Sequence, residues 1–163
     1  ERDAEPKQSA RFGILFILLS CLFSACPQPE VPAMPTHGFL RVAAATPDLV
    51  VADPAANAAH TIALLKEAEA KGVDLIVFPE MGLTGSDLFH TTTLPRAADA
   101  ALAEVAAFTA TGFRGVAVVG LPVALDGQLF NAAAVLHAGR VLGVVPKAYL
   151  PNYKEFYDAR YYS

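Results

Sequence analysis

Cysteine is scarce in this 163-residue chain: Cys21 and Cys26 are the only two, both near the N-terminus. No CxxC and no Cys/His ligand spacing occurs, so a structural zinc site is unsupported. The four histidines, His37, His60, His90 and His137, are scattered and never fall two to four residues apart, and no catalytic metal is expected. The net charge is −4, and no basic cluster stands out after the first few residues, which excludes an electrostatic footprint for nucleic acid. Gly82-Leu-Thr-Gly85 lacks the GxxxxGK[ST] spacing and no GxGxxG follows any strand-like run, so an ATP or dinucleotide site within these residues is not indicated. Internal repeats are absent as well. What the chain has in quantity is apolar residue, at 54%, enough for one domain with a real core and too little for two.

Residues 1–36 do not match the remainder. A charged start is followed by an almost wholly apolar run, residues 12–26, and then by a proline-rich spacer. Basic flank, apolar run and small residues before a cysteine describe a secretory h-region, and Phe23-Ser-Ala-Cys26 loosely resembles a lipoprotein cleavage box. The run is too short for a comfortable membrane span. The chain starts at Glu1, and Met34 stands just ahead of the first folded element as a sensible initiator. Residues 1–36 are therefore expected to be an anomalous extension, signal-like or artefactual, before a folded region over 37–163. The cytoplasm is the expected location, and a working signal would instead make the product a membrane-anchored lipoprotein.

From residue 39 the pattern becomes regular. Residues 39–46 read as a short buried strand. Asp53-Pro54 marks a helix start, with Asp at the cap and Pro at the first helical position. The helix runs to Lys71 with an apolar stripe of Ala55, Ala59, Ile62 and Leu65, an exposed Glu67–Lys71 pair, and Gly72 as its stop. Residues 73–78 form a continuous apolar run of the kind found in interior strands. A second, Ala-rich helix is predicted over 97–111 and a third strand over 115–122. Asp126-Gly127 then signals a hairpin, residues 129–136 a strand, and His137-Ala-Gly-Arg140 a turn into a last strand over 141–145. Parallel βαβαβ thus gives way to antiparallel hairpins: an α/β chain with a mixed sheet.

Chemistry concentrates at two strand ends. Glu80 lies just past an interior strand, where open α/β sheets place ligands. In apolar surroundings its pKa is expected to rise, fitting it for proton transfer. Lys147 has the same placement after the last strand and is suited to stabilising a developing oxyanion. Glu155, eight residues on, is expected to pair with it. The stretch from Pro146 to Ser163 also holds five tyrosines, and its prolines Pro146 and Pro151 oppose a regular helix or central strand. Such a loop is poor core material and a good lining for a polar site. The competing readings are ordinary ones: a solvated loop glutamate, a surface lysine and a solvated tail.

Val77-Phe-Pro-Glu-Met-Gly-Leu-Thr-Gly85 and Pro146-Lys-Ala-Tyr-Leu-Pro-Asn-Tyr-Lys-Glu-Phe-Tyr157 resemble the nitrilase, or carbon–nitrogen hydrolase, superfamily. More narrowly, the second motif is similar to the glutaminase domain found in glutamine-dependent NAD⁺ synthetases. The resemblance covers about residues 38–163 and implies roughly the first half of an α-β-β-α sandwich, one apolar sheet face being left uncovered. It implies a Glu-Lys-Cys triad in which Glu80 is the general base and Lys147 stabilises the tetrahedral intermediate. Glu155 would be a second, structural or catalytic glutamate, and Tyr153 and Phe156 would line the glutamine pocket. It further implies glutamine as substrate, and a separate synthetase domain using ATP and Mg²⁺ to amidate deamido-NAD⁺. A homo-oligomer is the implied state of the full-length form.

Two departures accompany the likeness. The family's nucleophilic cysteine lies well downstream of the lysine, whereas Cys21 and Cys26 precede the first strand, so the 163 residues alone are expected to be a fragment that does not hydrolyse glutamine. Gly85-Ser-Asp-Leu-Phe-His90 is about three residues shorter than the family pattern, with Ser86 in place of a substrate-side tyrosine. Three readings follow: part of a glutamine-dependent synthetase, part of a stand-alone nitrilase-type amidase, or a non-catalytic, lipoprotein-like partial domain. The sequence downstream of Ser163 separates the first two, and membrane fractionation tests the third.

Overall fold

The structure, a computed structural model, describes residues 38–85 and 93–163. Both cysteines, the signal-like run and the shortened segment at 86–90 lie outside the described residues. Strand β1 (Val42–Ala44) leads to helix α1 (Pro54–Ala70), β2 (Leu75–Val77), α2 (Leu94–Phe108), β3 (Val116–Leu125), β4 (Gln128–His137) and β5 (Arg140–Pro146), with a short 3-10 turn at Asp158–Arg160. The five strands lie in one sheet in the order β1-β2-β3-β4-β5. The pairs β1–β2 and β2–β3 are parallel, and β3–β4 and β4–β5 are antiparallel. The mixed sheet expected from the change of sequence pattern is therefore present.

Local chemistry explains the element boundaries. Asp53 caps α1 by accepting the Ala56 N–H at 3.0 Å, with Pro54 opening the helix. Gly72, at φ +64°, takes the left-handed conformation that ends it. The exposed Glu67–Lys71 ion pair forms at 3.5 Å. Asp126 (φ 50°) and Gly127 (φ 78°) make the left-handed two-residue turn that matches the twist of a hairpin, and Ala138 and Gly139 do the same one turn later. Helix α2 starts and ends three residues before the predicted 97–111.

The sheet is covered on one face. Ile76, Ala117, Val119, Leu121, Ala134 and Leu136 point to the side on which Leu65, Ala68, Ala98, Ala101 and Val105 of the helices form the core. On the opposite face Val42 is 65% exposed and Val145 61% exposed. Two expectations are corrected here. The run at 39–46 is not a buried strand but an edge strand, with Phe39 and Leu40 exposed, because it has one strand neighbour and a helix layer on one side only. The buried stripe of α1 is not Ala55, Ala59, Ile62 and Leu65. It is Pro54, Asn57, Ala58, Thr61, Leu65 and Ala68, leaving Ala55 and Ala59 exposed.

Two residues of that stripe, Asn57 and Thr61, are polar. Asn57 is fully buried; its amide donates to Val50 O (2.8 Å) and Leu83 O (3.2 Å), and its oxygen accepts from Val50 N (2.8 Å). It thereby holds the loop before α1 and the loop after β2 against the helix. Leaving buried main-chain partners unpaired costs about 1–3 kcal/mol. Asn57→Ala is accordingly expected to lower the unfolding free energy by about 2–3 kcal/mol, read from the urea midpoint. An unchanged midpoint would show that water replaces the amide.

Candidate functional site

The loop after β2 is drawn down onto β3. Phe78 N donates to Val118 O at 2.9 Å and Leu83 N to Gly120 O at 3.1 Å. Gly120 allows this approach: a Cβ there would lie 2.5 Å from Pro79 O and 2.7 Å from Met81 N. Met81 adopts φ +54°, unusual for a residue with a side chain, and its carbonyl accepts the N–H groups of Thr84 (3.0 Å) and Gly85 (2.8 Å). The tight turn is thus fixed at both ends, and Glu80 is presented over the sheet.

From the other side, β5 ends at Pro146 and delivers Lys147. Its main-chain N–H donates to Asn131 O on β4 at 2.8 Å. Its Nζ lies 2.9 Å from Glu80 Oε1 and 2.9 Å from Asp158 Oδ2. The side chains of Glu80, Lys147 and Asp158 are 58%, 29% and 14% exposed, so the cation stands between one open and one sheltered carboxylate. Asn131 Nδ2 also donates to Glu80 Oε1. Glu80, Lys147 and Asn131 edge a groove of about 350 Å³ whose walls are largely apolar: Val77, Phe78, Val118, Gly120, Ala133 and Val145.

The electrostatics reverse one expectation. Glu80 is not shifted upward: the hydrogen bond from Lys147 holds its pKa below the ordinary carboxylate value, outweighing burial, with Asn131 acting in the same direction. For Lys147, burial pulls downward, but the bonds to Glu80 and Asp158 prevail and the pKa is raised. At neutral pH the pair is an ionised carboxylate facing an ammonium group. Such a carboxylate is ready to accept a proton, and the ammonium is ready to stabilise an oxyanion.

Glu80 and Lys147, picked out 67 residues apart in sequence, are brought together. Glu155 is not. It is exposed and forms no ion pair among the described residues; Asp158 takes the place next to Lys147. The reason is the turn that reverses the chain at Lys154 (φ 52°), closed by Phe156 N donating to Tyr153 O, which turns Glu155 outward before Asp158 returns. Tyr153 and Phe156 are exposed, in edge-to-face contact with centroids 5.7 Å apart, and neither lines the groove. Sequence reasoning missed Asn131 and Asp158. An amide in the middle of the otherwise apolar run Leu129–Leu136 is the signal that points to the first.

Comparison with known proteins adds to this geometry. Over 127 residues, 76% of its length, the chain is 42% identical to the glutamine-dependent NAD(+) synthetases of Mycobacterium bovis and Mycobacterium tuberculosis. It spans about a fifth of those relatives, 19% of their length. Among solved structures, the glutamine-dependent NAD⁺ synthetase of Acinetobacter baumannii, in complex with adenosine diphosphate, superposes with a TM-score of 0.62 at 32% identity, over 69% of this chain and 22% of that one. An amidase from Nesterenkonia sp. shares the fold, with a TM-score of 0.63 at 20% identity over 76% of this chain and 47% of its own. Residues 41–161, most of the described chain, match the carbon–nitrogen hydrolase family. With Glu80 and Lys147 paired within that match, the chain belongs to the carbon–nitrogen hydrolase family.

Proposed function

We propose that this chain supplies the base and oxyanion side of a glutamine-hydrolysing site in glutamine-dependent NAD⁺ synthesis. The observation that carries the reading is the ionised Glu80–Lys147 pair, 2.9 Å apart at the mouth of the groove, in a chain 42% identical to mycobacterial synthetases. Glu80 would take the proton of a cysteine thiol, and the thiolate would add to the amide carbon of glutamine. Lys147 would stabilise the oxyanion. The proton would pass to the departing ammonia, leaving a thioester that water hydrolyses to glutamate. The 163 residues hold no cysteine after Cys26, so the thiol is proposed to come from sequence beyond them. ATP and Mg²⁺ are assigned to a synthetase portion that uses the ammonia, and no residue described here is assigned to them. Asp158 would serve as the second counter-charge of Lys147. The folded region is taken as 37–163 and its location as the cytoplasm; among the described residues no helix is long and apolar enough to cross a membrane.

A chimaera tests this. Residues 38–163 replace the matching stretch of the Mycobacterium tuberculosis synthetase, which supplies the remaining sequence. The chimaera is expected to release glutamate from glutamine. Glu80→Gln should lower kcat by about 10²–10⁴-fold, the range for a lost general base. A chimaera that folds but releases no glutamate, or a Glu80→Gln variant with full activity, would overturn the assignment.

A further inference from the structure

We infer that Asn131 is a positioning residue that couples the two charged groups of the site, its side chain fixing Glu80 and its main-chain carbonyl fixing Lys147. The role rests on the amide-hydrolysis reading for its purpose, but not for its geometry. Asn131 is buried in a strand otherwise built from apolar residues at that depth. A buried amide is costly unless its hydrogen bonds are made. Here they are made to the site: Nδ2 donates to Glu80 Oε1, the oxygen that also accepts from Lys147 Nζ, and the carbonyl accepts the Lys147 N–H at 2.8 Å. Its partner across β3 is Pro122, which has no N–H to donate.

One residue therefore sets both the height of the lysine along the sheet and the rotamer of the glutamate. Because both donors address Oε1, neither of these bonds occupies Oε2, the atom open to accept the nucleophile's proton. The charged groups facing Glu80 are Lys147 at the end of β5 and, beyond it, Asp158 of the 3-10 turn. Val77 and Val118, which β2 and β3 bring to the groove, are uncharged. Asn131 thus adds a neutral donor to the charged pair.

The test is an NMR titration of the Glu80 carboxyl carbon in the 163-residue chain, alone and with Asn131→Ala or Asn131→Asp. The unsubstituted chain is expected to titrate below the ordinary carboxylate range. Asn131→Ala should move the midpoint upward, and Asn131→Asp, isosteric but with an oxygen in place of the donor, should move it further. A midpoint that stays put in either folded variant overturns the inference. Loss of the fold in both would overturn it too, since the residue would then hold the sheet and not the glutamate. In the chimaera, Asn131→Ala should lower kcat by up to about 10²-fold with little change in KM, and shift the acid limb of the pH profile with the Glu80 midpoint. Shifted titration in an inactive chimaera would sink the amide-hydrolysis reading alone, and an active chimaera with an unmoved midpoint would sink the positioning role alone.

Discussion

Lys147→Met is expected to reduce glutamate release by the chimaera about 10³-fold, the scale of losing an oxyanion donor. Methionine keeps the apolar stem and removes the charge, so the effect reports the ammonium group and not packing. Glu80 and Asp158 would lose their shared partner at once. The pH dependence follows from the directions of the two shifts. Glu80 is lowered from its ordinary 4.5, so its part of the ion pair is present above that value and is lost as pH falls through the lowered midpoint. Lys147 is raised from 10.5, so its part is present below that value and is lost as pH rises through the raised one. Between those limits the pair is intact. In Lys147→Met the Glu80 midpoint should return toward the ordinary range. Its contribution to stability should be small, below about 1 kcal/mol, since the glutamate is more than half exposed. Retained activity in a folded Lys147→Met chimaera would remove the lysine from the chemistry.

Gly120→Ala should be strongly damaging to both the fold and the site. Its methyl would lie 2.5 Å from Pro79 O, 2.7 Å from Met81 N and 3.0 Å from Glu80 Cα. All three atoms are main chain, so no side chain can swing aside. The loop after β2 has to lift, breaking the Leu83–Gly120 hydrogen bond. Overpacking of this kind costs about 1–3 kcal/mol, and the upper end is expected, measured as a lower urea midpoint. The displaced Glu80 should cost the chimaera about 10²-fold in kcat as well. A variant with an unchanged midpoint would show that the loop floats free of β3.

The sequence carries the order of elements because local chemistry writes it. Asp53-Pro54, Asp126-Gly127 and Ala138-Gly139 each demand one backbone geometry, and each adopts it. The buried face of α1 is not written in the same way. Alanine recurs around the whole helix, so hydrophobicity does not distinguish its sides, and the choice falls to the hydrogen bonds of Asn57. The strand at 42–44 misleads for a related reason: an apolar run does not say how many neighbours cover it. At the site, Glu80 and Lys147 were legible as polar residues at strand ends, but their mutual charge was not. Burial predicts an upward shift for Glu80, and the opposite outcome comes from a cation 67 positions away. The exchange of Glu155 for Asp158 depends on a left-handed residue at Lys154, a position at which sequence offers no glycine to announce it.

The hydrogen bond from Lys147 N to Asn131 O continues the β4–β5 ladder one step beyond its last residue pair, Ala132 with Pro146. Ladders fray from their ends, and the final rung here is the one bearing the cation. Opening that single rung would free the lysine without unfolding anything else. The exchange rate of one amide proton, that of Lys147, therefore measures how often the site comes apart.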